Sequence, residues 1–133
     1  MKRLLLACMA WLCLCFAVTA SSATQGGSLL DFGIWMRVID KLSVTSQQRL
    51  ARGEFEAAAN DARRLGELYA LMETFYRQTG RSLDAAAISR EGKELAAQAV
   101  LQIQAQQMDA AADGLLKIAR ACNDCHDEYK PVR

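Results

Sequence analysis

Proline is almost missing from this 133-residue chain: its one copy is Pro131, near the C-terminus. Histidine is also present once, as His126. Runs of β-branched residues are absent and alanine is abundant, a balance that favours helix over strand. Basic charge is not in excess either, with 16 Lys and Arg against 15 Asp and Glu and a formal net charge of +1. That removes the electrostatic footprint of a nucleic-acid binder and leaves no strong steering field for partners. No tandem repeat divides the chain, and its length suits one domain rather than two.

What is present begins with a leader. Lys2 and Arg3 precede an uncharged apolar run from Leu4 to Val18, followed by the small residues Thr19, Ala20, Ser21, Ser22 and Ala23. This is the layout of a secretory signal peptide, with cleavage after Ala20 or after Ala23. The run is about fifteen residues, short of the roughly twenty a spanning helix needs, so no permanent membrane anchor is expected. A lipoprotein reading of Leu5-Leu6-Ala7-Cys8 leaves almost no apolar stretch before the cysteine. We therefore expect a signal peptide over 1–23 and a mature domain over 24–133. Three of the five cysteines (Cys8, Cys13 and Cys15) leave with the leader, and the net charge falls from +1 to −1 as Lys2 and Arg3 go. Cys122 and Cys125 remain as one close pair.

The mature chain reads as four helices, at about 28–51, 54–78, 83–106 and 110–129. In the first, Phe32, Trp35, Met36, Ile39, Leu42 and Leu50 form an apolar stripe. Gly53 is its natural stop, because glycine accepts the left-handed cap conformation. In the second, Phe55, Ala58, Ala62, Leu65, Leu68, Met72 and Phe75 keep the helical spacing. Ser82 is the expected N-cap of the third, where Gly92 and Ala96 allow close approach. The break near Gln106 has no glycine or proline, and Asp109 is the best N-cap signal after it. In the fourth, Leu115, Ile118, Ala119, Cys122, Cys125, His126 and Tyr129 share one side, which places the cysteines and the histidine toward the core. Four helices with short connections predict an all-α, antiparallel up-down four-helix bundle.

The group Cys122-Asn123-Asp124-Cys125-His126 is C-x-x-C-H, the attachment signature of a c-type haem. Positions i, i+3 and i+4 share a helix face, so one turn can present two thiols for thioether bonds and an imidazole for the iron. Three other readings stand beside it. A catalytic dithiol belongs with strand–helix patterns and a helix N-terminus, whereas this pair is near a helix C-terminus, where the dipole opposes a thiolate. Zinc would need a fourth ligand from Asp124, Asp127 or Glu128. The plainest reading is a structural disulfide, or two buried thiols beside a core histidine. Haem accounts for both thiols, the single histidine and the leader together.

With an exported helical bundle and its C-x-x-C-H on the last helix, the chain resembles the class II cytochromes c, the cytochrome c-prime and cytochrome c-556 group. The local match runs from Ala121 to Lys130, where Asp127, Tyr129 and Lys130 follow the motif as an acidic, an aromatic and a basic residue do in the family. Arg52-Gly53-Glu54 is similar to the family's first turn. The connection from second to third helix is shorter than in many relatives. The resemblance implies one covalent haem c on Cys122 and Cys125, His126 as proximal iron ligand, a periplasmic location and redox partner proteins. It also implies a choice. Low-spin members carry electrons with a methionine of the first helix on the iron. High-spin members leave that side open and bind small gases such as nitric oxide.

Met36, on the first helix's stripe, is the candidate distal ligand, although counting back from Gly53 the family spacing falls nearer Arg37. A core gap-filler is the commoner role for methionine. Arg37 is a candidate partner for a haem propionate. An electron carrier with His/Met ligation is the reading expected, with an open-site gas binder as the alternative and a non-haem helical adaptor as a minor one. No acid, base and nucleophile set is legible beyond the motif, so no enzyme is expected. Relatives often pair through their first two helices, and a homodimer using Trp35 or Tyr69 is conceivable, although both residues also suit a core.

Overall fold

The computed structural model describes residues 27–80 and 82–128. The leader read over 1–23 and residues 129–133, among them Tyr129, Lys130 and Pro131, lie outside them. Four helices follow in order: α1 (Leu29–Ala51), α2 (Phe55–Thr79), α3 (Leu83–Gln104) and α4 (Met108–Glu128). Each packs on its neighbours around the bundle, α2 on α3 most extensively and α1 on α4 least. The expected four-helix bundle is the fold observed. Among the described residues, no helix is long and apolar enough to cross a membrane.

The ends of the helices follow from local chemistry. Ser28 caps α1 in a reciprocal box, its hydroxyl accepting from Asp31 N at 3.2 Å while Asp31 Oδ2 accepts from Ser28 N at 2.9 Å. Ser82 caps α3 as expected, accepting from Ala85 N at 3.1 Å. The α1–α2 turn closes with Glu54 N donating to Arg49 O at 2.9 Å and Gly53 N to Leu50 O at 3.0 Å, with Gly53 at φ 78°. This is the paired closure of a Schellman motif. The α3–α4 turn repeats it without glycine. Gln107 N donates to Gln102 O at 2.8 Å and Gln106 N to Ile103 O at 3.1 Å, with Gln106 itself at φ 58°. Helix α4 then starts at Met108, so Asp109 lies in its first turn rather than capping it.

Buried apolar side chains run through the bundle from Leu50, Ala58 and Ala62 through Leu65, Leu68 and Met72, meeting Ala96, Ala99, Leu115 and Ile118. Small residues set the close contact of α2 with α3: a Cβ added at Gly66 would lie 3.6 Å from that of Ala96. Phe55, placed on the α2 stripe by its spacing, is 42 % exposed instead. It sits at the first position of α2, before the helix enters the packed layer.

Two polar links tie helices together. Asp61 of α2 is buried and accepts from Thr45 Oγ1 at 3.0 Å and from Arg49, both on α1. Glu73 of α2 accepts from Lys93 Nζ of α3 at 2.7 Å and from Arg77 at 3.3 Å. The Lys93 hydrogen bond holds the Glu73 carboxyl below the usual glutamate range, and the nearby Lys93, Arg77 and Arg90 charges add to this against the opposing effect of burial.

Candidate functional site

The end of the bundle formed by the start of α1, the end of α2, the start of α3 and the end of α4 holds a cleft. Met36 and Ile39 of α1, Tyr69, Met72 and Tyr76 of α2, Ile88 and Ser89 of α3, and Ala121, Cys122, Cys125 and His126 of α4 line it, with Asp40 at its edge. The side chains leave only about 30 Å³ of free space within it, against about 440 Å³ when the gaps between lining atoms and the open mouth are counted. Phe32, Phe75 and Tyr76 stack near it, with the Phe32 ring 4.8 Å from Phe75 and edge-on to Tyr76 at 5.6 Å between centroids.

The residues singled out in the sequence meet in this cleft. Cys122, Cys125 and His126 fall within little more than one turn of α4, which is helical through Glu128. Cys122 and Cys125 are half-buried free thiols. His126 is exposed, further out than the core-facing position the spacing predicts. The reason is where α4 is covered: its fully buried stripe ends at Ile118, and the turns beyond it are only partly overlaid. Met36 is half-buried and reaches the cleft from α1, whereas Arg37, next to it, is exposed. A helix turns about 100° per residue, which decides between those two neighbours.

Three features were not legible beforehand. Met72, placed on the apolar stripe of the second helix, lines the same cleft as Met36. Ser43 and Ser46 of α1 are buried polar residues, satisfied by the carbonyls of Ile39 and Ser43 at 2.8 and 3.4 Å. Tyr69 was a possible pairing contact; it is buried, and its hydroxyl lies 3.1 Å from Cys122 Sγ. Ser43 Oγ is 4.0 Å from the same sulfur. Trp35, the other pairing candidate, is half-buried against the core.

Burial pushes the Tyr69 hydroxyl well above the usual phenol range, and the neighbouring Cys122 and Cys125 thiols add to this. Burial likewise raises the Cys125 thiol, with Cys122 as the second cause. A thiol held in its neutral form is a poor redox nucleophile, which weighs against the catalytic dithiol reading. Among the described residues, no three of His, Cys, Asp and Glu converge as a metal-binding cluster.

These donors suit a covalently attached haem. Two thiols stand one turn apart, an imidazole follows on the same helix, and a thioether approaches from α1, all around a mostly apolar cleft. Compared with protein-family models, with curated proteins and with solved structures, the chain matches none.

Proposed function

We propose that this chain is an exported monohaem c-type cytochrome on a four-helix bundle, an electron carrier rather than an enzyme, working in the periplasm with redox partner proteins. The observation that carries this reading is the convergence of Cys122, Cys125, His126 and Met36 on one apolar cleft. Cys122 and Cys125 are assigned the thioether bonds, His126 the proximal iron position and Met36 the distal one. When bound, the haem supplies a one-electron couple, and a thioether on its iron raises the potential.

The chain's own residues then have defined tasks. The apolar walls from Ile39, Met72 and Ile88 exclude water, which keeps the electrostatics of the site strong. Tyr76 lines the same cleft, with the Phe32 ring edge-on against it. Arg37, exposed on α1, is free to meet an anionic edge such as a haem propionate. The alternative, a high-spin cytochrome that binds a small gas, differs only in Met36, which would then be a core filler.

Absorption spectroscopy of the chain matured in cells that attach c-type haem tests the reading. A low-spin ferric spectrum in the wild type that becomes high-spin in Met36→Ala supports His/Met ligation. A high-spin wild-type spectrum at neutral pH turns the reading to gas binding. A wild-type chain with no covalent haem by mass overturns it in favour of a helical adaptor.

A further inference from the structure

Tyr69 stands out among the cleft residues, because it is buried in the core and yet touches one of the two thiols. Its hydroxyl is 3.1 Å from Cys122 Sγ across the α2–α4 interface. Its ring is seated on Gly92 of α3, where an added Cβ would come within 2.8 Å of it. The ring is therefore gripped by α3 while its polar end reaches α4.

We propose that Tyr69 is the positioning residue for the Cys122 sulfur, holding it from α2 through an O–H···S hydrogen bond and drawing electron density from it. This rests on the cytochrome reading above.

As long as Cys122 is a thiol, either atom of the pair can donate. Thioether formation adds the S–H across a vinyl double bond. Sulfur bonds one vinyl carbon, the hydrogen goes to the other, and nothing is oxidised or reduced. The sulfur then carries no proton and can only accept, so the tyrosine O–H becomes the donor. The hydroxyl thus keeps a partner in both states, as a buried polar group requires. A hydrogen bond to an atom attached to the macrocycle favours the electron-rich, reduced state of the group, as outer hydrogen bonds do at other metal centres.

The test compares wild type with Tyr69→Phe, which keeps the ring and removes the hydroxyl, in the haem-linked protein. The mass added by the haem is expected to be the same in both chains, so attachment is intact. The carbon–sulfur vibration seen by resonance Raman is expected to shift. At a fixed poise the reduced-to-oxidised ratio is expected to fall about threefold. An unchanged vibration together with an unchanged ratio overturns the proposal. Should Tyr69→Phe not accumulate, Gly92→Ala, which displaces the ring, is expected to move the same two readouts in the same direction, and its failure to do so counts equally against it.

A wild-type chain without covalent haem overturns the cytochrome reading instead. The contact itself is then decided on the haem-free full chain by a double-mutant cycle of Tyr69→Phe and Cys122→Ala. A coupling of about fivefold in the unfolding equilibrium constant supports the contact, and additive effects remove it.

Discussion

The two ends of this bundle are built differently. At the end that carries the α1–α2 and α3–α4 turns, Ala58, Ala62, Ala99, Ala111 and Leu115 are fully buried. The buried Asp61 carboxylate there is satisfied from α1 by Thr45 and Arg49. At the other end Phe32, Trp35, Met36, Tyr76 and Cys122 are only partly covered, and a cleft opens among them. Alanine lets helix backbones approach closely, whereas aromatic and methionine side chains keep them further apart. The end closed by the two turns is where the alanine-rich interior is fully buried, and the other end gathers the two thiols, the imidazole and Met36 around its cleft.

If that division of labour holds, substitutions at the two ends should separate stability from site chemistry. The largest loss of stability is expected from Leu65→Ala in the fully buried core, about 3 kcal/mol by denaturant unfolding, because the cavity it leaves cannot collapse between tightly packed helices. The absorption spectrum of the matured protein should not change. A changed spectrum would mean that the two regions are not separable.

Gly92→Ala strikes the site end. Its methyl group meets the Tyr69 ring at 2.8 Å, so the ring must move, at about 2 kcal/mol in the same unfolding measurement. Here the site should respond as well as the fold. A loss of stability with no change at Cys122 would count against Tyr69 as the residue that positions its sulfur.

Acid provides a third probe. Because the folded-state Glu73 carboxyl lies below its ordinary value, chiefly through its Lys93 hydrogen bond, its contribution is fully present above the unfolded value of about 4.3. It is lost as pH falls through the lowered folded value. Glu73→Gln should cost about 1 kcal/mol at neutral pH and flatten the fall in stability between roughly pH 5 and 3. An unflattened acid limb, followed by circular dichroism, would remove Glu73 as a cause.

The smallest effect is expected at the closed end's second turn. Gln106 occupies a left-handed conformation at φ 58°, so Gln106→Gly should raise stability by about 0.5–1 kcal/mol. A measured loss would mean that the glutamine side chain, rather than its backbone, secures that turn.

Much of the fold could be read directly. The four amphipathic stretches, the Gly53 turn and the Ser82 cap are local signals, and each of them acts within a few residues of where it is written. The α3–α4 break was legible near Gln106, but its Schellman closure was not, because its left-handed residue is a glutamine and nothing in that side chain announces the conformation. Asp109 was misplaced as a cap for the same reason: the Schellman closure at Gln106 and Gln107 starts α4 sooner than an N-cap residue would. The burial of Ser43, Ser46 and Asp61 was hidden as well, since polar residues are buried only where a partner from the same or another helix satisfies them.

For the candidate site, the sequence by itself determined the chemistry: two cysteines and one histidine at helical spacing on the last helix. The apolar stripe also picked out Met36. Only the tertiary structure decided what surrounds that turn. Helix phase puts Met36 in the cleft and Arg37 outside it, Met72 joins from α2, and Tyr69 arrives from the core to meet Cys122. Spacing along one helix is set by its own pitch, but a contact between helices depends on how deeply each sinks against its neighbours. At Tyr69 that depth is set by Gly92, a residue on a third helix, which no local pattern around Cys122 contains.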